Sequence, residues 1–218
     1  MSRHLSRRSV LKRLSAVGAA ASLPRRVISQ TQRTGEPYEN LSPSEAETLE
    51  AMVGRLIPSD ENGPGALEAG AVRYIDRGFA DALAASRDIY TAGLSAIDDY
   101  ARRAYGNRFA ELDENQQDAI LESLENDAPA RTEDATAFPP NAGSFFDLVL
   151  QHTLEGTFGD PYYGGNDDFI GWAMLGYPGL RLGVGPADQA LDATPVPTRI
   201  SAYDLPMFDP GDTEPEEA

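Results

Sequence analysis

The chain has 218 residues, 41% of them apolar, which is room for one ordinary domain with tails and enough to build a core. It contains no cysteine, which excludes disulfides, thiolate metal sites and Cys nucleophiles. Its formal net charge of −17, from 35 acidic against 18 basic residues, repels phosphate and anionic lipid and so disfavours nucleic acid as a partner.

The first thirty-five residues read as an address. Ser6-Arg7-Arg8-Ser9-Val10-Leu11-Lys12 resembles the twin-arginine signal for export of folded proteins, with Arg7 and Arg8 as the defining pair. A weakly apolar run, Leu14 to Leu23, follows and is far below the ~20 apolar residues that span a bilayer. Ala19-Ala20-Ala21 supplies the small residues of a processing site. Removing 21 residues takes away five cations and leaves 13 basic against 35 acidic residues, or −22. Lys12 is the only lysine beside 17 arginines. An acidic, lysine-poor surface suits molar salt, where the Debye length shrinks to ~3 Å. The composition therefore predicts a salt-loving host, with an acidic protein of a high-GC bacterium as the alternative.

Helical periodicity dominates residues 36–185. Ser42-Pro43-Ser44-Glu45 is a capping box with Pro at the first helical position. It opens a helix with Leu49, Met52, Val53, Leu56 and Ile57 on one face, stopped by Pro58. A second helix is predicted from about Glu68 to Ala85, presenting Val72, Ile75, Phe79 and Leu83. A third starts at Asp88 and buries Ile89, Ala96, Ile97, Tyr100 and Ala104. Asp113-Glu114-Asn115-Gln116 caps a fourth, with Ile120, Leu121 and Leu124 inward. Residues 128–143 read as a surface loop, and Phe145, Phe146, Val149, Leu150 and Leu154 form the last strong helix. After Gly156 the chain is glycine- and tyrosine-rich. From Pro186 to residue 218 it reads as an acidic, proline-rich, poorly packed tail. The fold class is all-α, about five helices with an irregular Gly/Tyr-rich segment.

No dinucleotide fingerprint, phosphate-cradling loop or nucleophile elbow is present. His152 is the one histidine beyond the signal, three residues before Glu155 on the same helical face. The pair reads as an acid/base or metal pair, or as a helix-end hydrogen-bonding pair at Gly156 or a partner contact. A metal requires at least one further convergent ligand. Asp98-Asp99 and Asp167-Asp168 lack the spaced oxygens of a calcium loop and read as solvated surface. Tyr162, Tyr163 and Trp172 flank glycines and suit a protein contact, with plugging the end of a small core as the alternative.

Two blocks carry a family resemblance. The first is Leu56-Ile57-Pro58-Ser59-Asp60-Glu61 with Pro64-Gly65-Ala66, Ala69-Gly70 and Tyr74-Ile75-Asp76. The second runs from His152-Thr153-Leu154-Glu155-Gly156-Thr157-Phe158-Gly159-Asp160-Pro161 through Tyr163-Gly164-Gly165-Asn166 and Gly171-Trp172 to Gly176-Tyr177-Pro178-Gly179. They resemble the small-subunit family (subunit 3) of gluconate 2-dehydrogenase. The resemblance implies a helical subunit with no cofactor of its own. Its partner would be a large FAD-binding flavoprotein of the glucose–methanol–choline type that oxidises a sugar, sugar acid or alcohol, often with a cytochrome c subunit. The small subunit would aid maturation and lend its signal to the complex at the twin-arginine translocase. That places the complex outside the cytoplasm, free or held at the membrane. His152, Glu155, Tyr162, Tyr163, Trp172 and Tyr177 are the interface candidates. Two other expectations compete with this one: a freestanding enzyme using His152 with Glu155, and a solitary exported binding protein.

Overall fold

The computed structural model describes residues 37–61, 63–127, 137–193 and 196–205. Arg7 and Arg8 lie outside the described residues, as do residues 128–136 of the expected loop and the last thirteen residues. Six α-helices occur among the described residues: α1 Pro43–Leu56, α2 Ala71–Gly78, α3 Arg87–Tyr105, α4 Glu114–Glu125, α5 Ala142–Phe158 and the short α6 Ile170–Leu175. Apart from one isolated bridge between Asp60 and Gly63, no β-pairing occurs among them. The domain is all-α.

Both capping boxes form. The Ser42 hydroxyl accepts the Glu45 N–H at the start of α1, and the Asp113 carboxylate accepts the Gln116 N–H at the start of α4. Helix α5 is central and packs against each of α1, α2, α3 and α4. Its Phe145 and Val149 are fully buried with Leu49, Met52, Val53, Ile75, Ile97, Ile120, Leu121 and Leu124. Burying one such side chain contributes about 1.5–3 kcal/mol. Contact between α3 and α5 is close because Gly93 carries no side chain: a Cβ there would lie 2.2 Å from the Phe145 ring.

Several expectations are corrected. The stretch 68–85 is not one helix. Gly70 adopts φ +78°, which an α-helix excludes, so α2 starts only at Ala71. It ends at Gly78, whose carbonyl accepts the Leu83 N–H at 2.7 Å in a tight return. On α3 the expected Ala96 and Ile97 are buried together with Tyr90, Leu94 and Ala101, Ile89 and Tyr100 are half-buried, and the last turn projects beyond the core with Ala104 exposed. Helix α5 begins at Ala142 and continues through Gly156 to Phe158, and Leu154 on its outer side is 39% exposed. Finally, the chain at 198–205 is not loosely attached, since Ser201 is buried and several hydrogen bonds fasten it (below).

Two buried aspartates brace the irregular segments. Asp76 on α2 accepts the N–H groups of Glu39, Asn40 and Leu41 at 2.8–2.9 Å, tying the chain entering α1 to α2. Asp98, expected on the surface, is buried on α3. It accepts the Thr48 hydroxyl, the Phe109 N–H and the Arg108 guanidinium. A carboxylate with that many donors tolerates burial because its lone pairs are satisfied.

Candidate functional site

The two sequence blocks meet in space. Tyr74 of α2 donates its hydroxyl to Glu155 of α5 at 2.9 Å, and the Asp167 N–H donates to the Ala69 carbonyl at 2.9 Å. Arg73 closes the junction with an ion pair to Asp167 at 3.1 Å. Burial and the neighbouring Glu155 carboxylate push the Tyr74 phenol up to about 12, so it stays a donor across the physiological range.

The glycines of the second block let the chain fold back onto the end of α5. A Cβ on Gly165 would lie 2.1 Å from the Gly156 carbonyl oxygen, and one on Gly171 would lie 1.7 Å from that of Thr157. Asn166 holds the fold-back. Fully buried, it donates its N–H to the Gly156 carbonyl at 2.7 Å and its Nδ2 to that of Gly159 at 2.8 Å. Its Oδ1 accepts the Gly171 N–H at 2.7 Å.

The structure separates the six interface candidates. His152 is buried, its Nδ1 3.0 Å from the Tyr90 hydroxyl and its ring stacked on Tyr90 at 5.8 Å. Burial pushes the imidazole below its ordinary value, against the charge of Glu155. Glu155 itself bonds Tyr74 and Gln151, so the imidazole and the carboxylate serve different partners. Trp172 is also buried, and its Nε1 donates to the Phe158 carbonyl at 3.0 Å while Tyr177 meets its ring edge-on at 5.0 Å. His152 and Trp172 therefore face inward and hold the shape of the block. Tyr162, Tyr163 and Tyr177 stand exposed.

Sequence reasoning gave no role to Tyr90, Asp160, Asn166 or Tyr203. Tyr90 was readable, since it lies four and seven residues before Leu94 and Ile97 on one helical face. Asp160 also carried a signal, because Asp before Pro161 favours turn initiation, and it caps the single-turn helix Pro161–Tyr163. Nothing in the sequence connects Tyr203 with a block forty residues earlier.

A cleft of about 630 Å³ lies elsewhere, between the first turn of α1, α3 and Arg108. Its guanidiniums are engaged: Arg87 with Glu45 at 2.9 Å, and Arg102 and Arg108 with Asp98 at 3.4 and 3.1 Å. Burial raises Glu45, but hydrogen bonds from Arg87 and from Ser42 outweigh it and hold the carboxyl at about 2. The cleft is a brace of ion-paired side chains. Among the described residues no three His, Cys, Asp or Glu side chains converge as a metal site requires, and no described helix is long and apolar enough to cross a membrane.

Fold and junction together define a small all-α protein whose two sequence blocks form one surface feature. The family model for gluconate 2-dehydrogenase subunit 3 matches residues 43–179, more than half of the chain and across both blocks, and the chain belongs to that family. The family description makes it one subunit of a dehydrogenase complex. No curated protein and no solved structure matches it.

Proposed function

We propose that this chain is the non-catalytic small subunit of an FAD-dependent dehydrogenase of the glucose–methanol–choline type, acting on a sugar, sugar acid or alcohol. It helps the large flavoprotein mature and carries it through the twin-arginine translocase to the cell surface or beyond. The observation that carries this reading is the family match over residues 43–179. The export role draws on Arg7-Arg8 and its neighbours, a signal suited to cargo that folds with its cofactor before transport. The separate engagement of His152 with Tyr90 and of Glu155 with Tyr74 counts against a freestanding enzyme built on that pair.

The test is direct. The mature chain produced alone is expected to bind no flavin and to reduce no dye acceptor with sugars or alcohols. Stoichiometric FAD in the isolated chain would overturn the reading.

A further inference from the structure

The family match ends at residue 179, yet the chain beyond it returns to the second block. Thr198 donates its N–H to the Pro178 carbonyl at 2.8 Å and its hydroxyl to the carbonyls of Pro178 and Leu180 at 3.1 and 3.2 Å. Asp160 then receives the Ser201 hydroxyl and the Ala202 N–H, while also capping Tyr162. These bonds bring Tyr203 face to face with Tyr162, ring centroids 3.8 Å apart, and set its hydroxyl 2.6 Å from that of Tyr163. Tyr162 and Tyr163 meet edge to face at 5.3 Å.

The three rings are 62%, 52% and 38% exposed for Tyr162, Tyr163 and Tyr203. Locked against one another, they have spent much of their side-chain freedom before any partner arrives, which is the condition under which tyrosines bind best. The carboxylates around them are engaged. Asp160 and Asp204 accept backbone N–H groups, Asp167 pairs with Arg73, and Asp168 lies 3.6 Å from Arg199. On a chain of net charge −17 two of these four carboxylates are paired with arginine, which lowers the repulsion that another protein meets here.

We propose that Tyr162, Tyr163 and Tyr203 form an anchoring platform for the large subunit of the dehydrogenase, and that the return segment 198–203, latched by Asp160, completes it. The proposal rests on the accessory-subunit reading. A second copy of this chain is the poorer occupant. Self-pairing would bring two chains of −17 together on three partly exposed rings that offer roughly 450–750 Å² over both copies, against the ~1,200 Å² of a stable interface. Within a complex of several subunits the same rings serve as a hot spot inside a larger contact.

The experiment expresses the tagged full chain in its own host at high salt. It measures flavin absorbance per captured chain and identifies the captured flavoprotein by peptide mass spectrometry. The double variant Tyr162→Ala/Tyr203→Ala is expected to lower the flavin ratio at least about tenfold with its circular dichroism unchanged. Tyr203→Phe keeps the stacking and is expected to retain most of the ratio. Asp160→Asn is expected to speed tryptic cleavage after Arg199 and to lower the ratio. Should the double variant fold poorly, Tyr203→Ala alone, outside the family match, gives the reading. Full capture of the flavoprotein by a folded variant overturns the platform and leaves the accessory role standing. Failure of the unaltered chain to capture a flavoprotein overturns both. A dimer of this chain that the tyrosine variants dissolve overturns the choice of occupant.

Discussion

The helical core through α5 and the cap at 159–193 and 196–205 are held by different forces. In the core, large side chains from five helices and the turn between α3 and α4 are fully buried, among them Tyr90, Phe109, Phe145, Leu49 and Met52. In the cap, Trp172 is the one large buried apolar side chain among the described residues, and the structure rests on Asn166, Ser201, Asp160 and backbone bonds. Apolar burial is non-directional and sets how stable a domain is, whereas hydrogen bonds to fixed acceptors set where particular groups point. The core therefore supplies the stability, and the cap displays tyrosines in a fixed arrangement.

The largest effect that probes this contrast falls in the core. Phe145→Ala removes the ring that fills the space beside Gly93 and is expected to cost about 3–5 kcal/mol, lowering a single cooperative melting transition. A second, smaller transition remaining in that variant would mean that the cap is stable without the core. Next, Asn166→Ala strips the Gly171 N–H of its buried acceptor, at about 1–3 kcal/mol. Its signature is local: amide exchange of residues 160–177 accelerates while that of α1 and α3 does not. Uniform acceleration would merge the two regions into one cooperative unit.

The smallest effect is the pH response of His152. Its folded-state pKa lies below the unfolded value of about 6.5, so the stability linked to the neutral imidazole is present above that pH and is lost as pH falls toward the folded value. Glu155, Tyr74 and Tyr90 are the titratable groups around it, and the two phenols are held un-ionised by burial. Denaturant unfolding is expected to show a decline from pH 7.5 to 5.5 that His152→Gln reduces.

The core was legible because its chemistry is periodic and local. Ser42 with Glu45 and Asp113 with Gln116 announce helix starts, and Leu49, Met52 and Val53 recur at helical spacing. Gly70 and Gly78 broke the second helix through a left-handed turn and a backbone return that apolar spacing alone does not register. In the cap, the tyrosines that the sequence singled out were found exposed, but the residues that aim them were not anticipated. Asp160 and Tyr203 are some forty residues apart and meet in a turn–turn contact with no periodicity to reveal it. Asp98 was hidden for a related reason, since its burial follows from the donors Thr48 on α1 and Arg108 and Phe109 in the turn after α3, which lie far from one another in sequence or outside any helical period.

The central claim is that this chain works as the partner of a flavoprotein. It is tested most directly by capturing the tagged mature chain from its own host in high salt and recording the visible spectrum of the eluate. The account predicts a larger yellow partner with flavin absorption, joined by a Soret band if a haem subunit completes the complex. A colourless, single-band eluate from cells that are producing the dehydrogenase would contradict it.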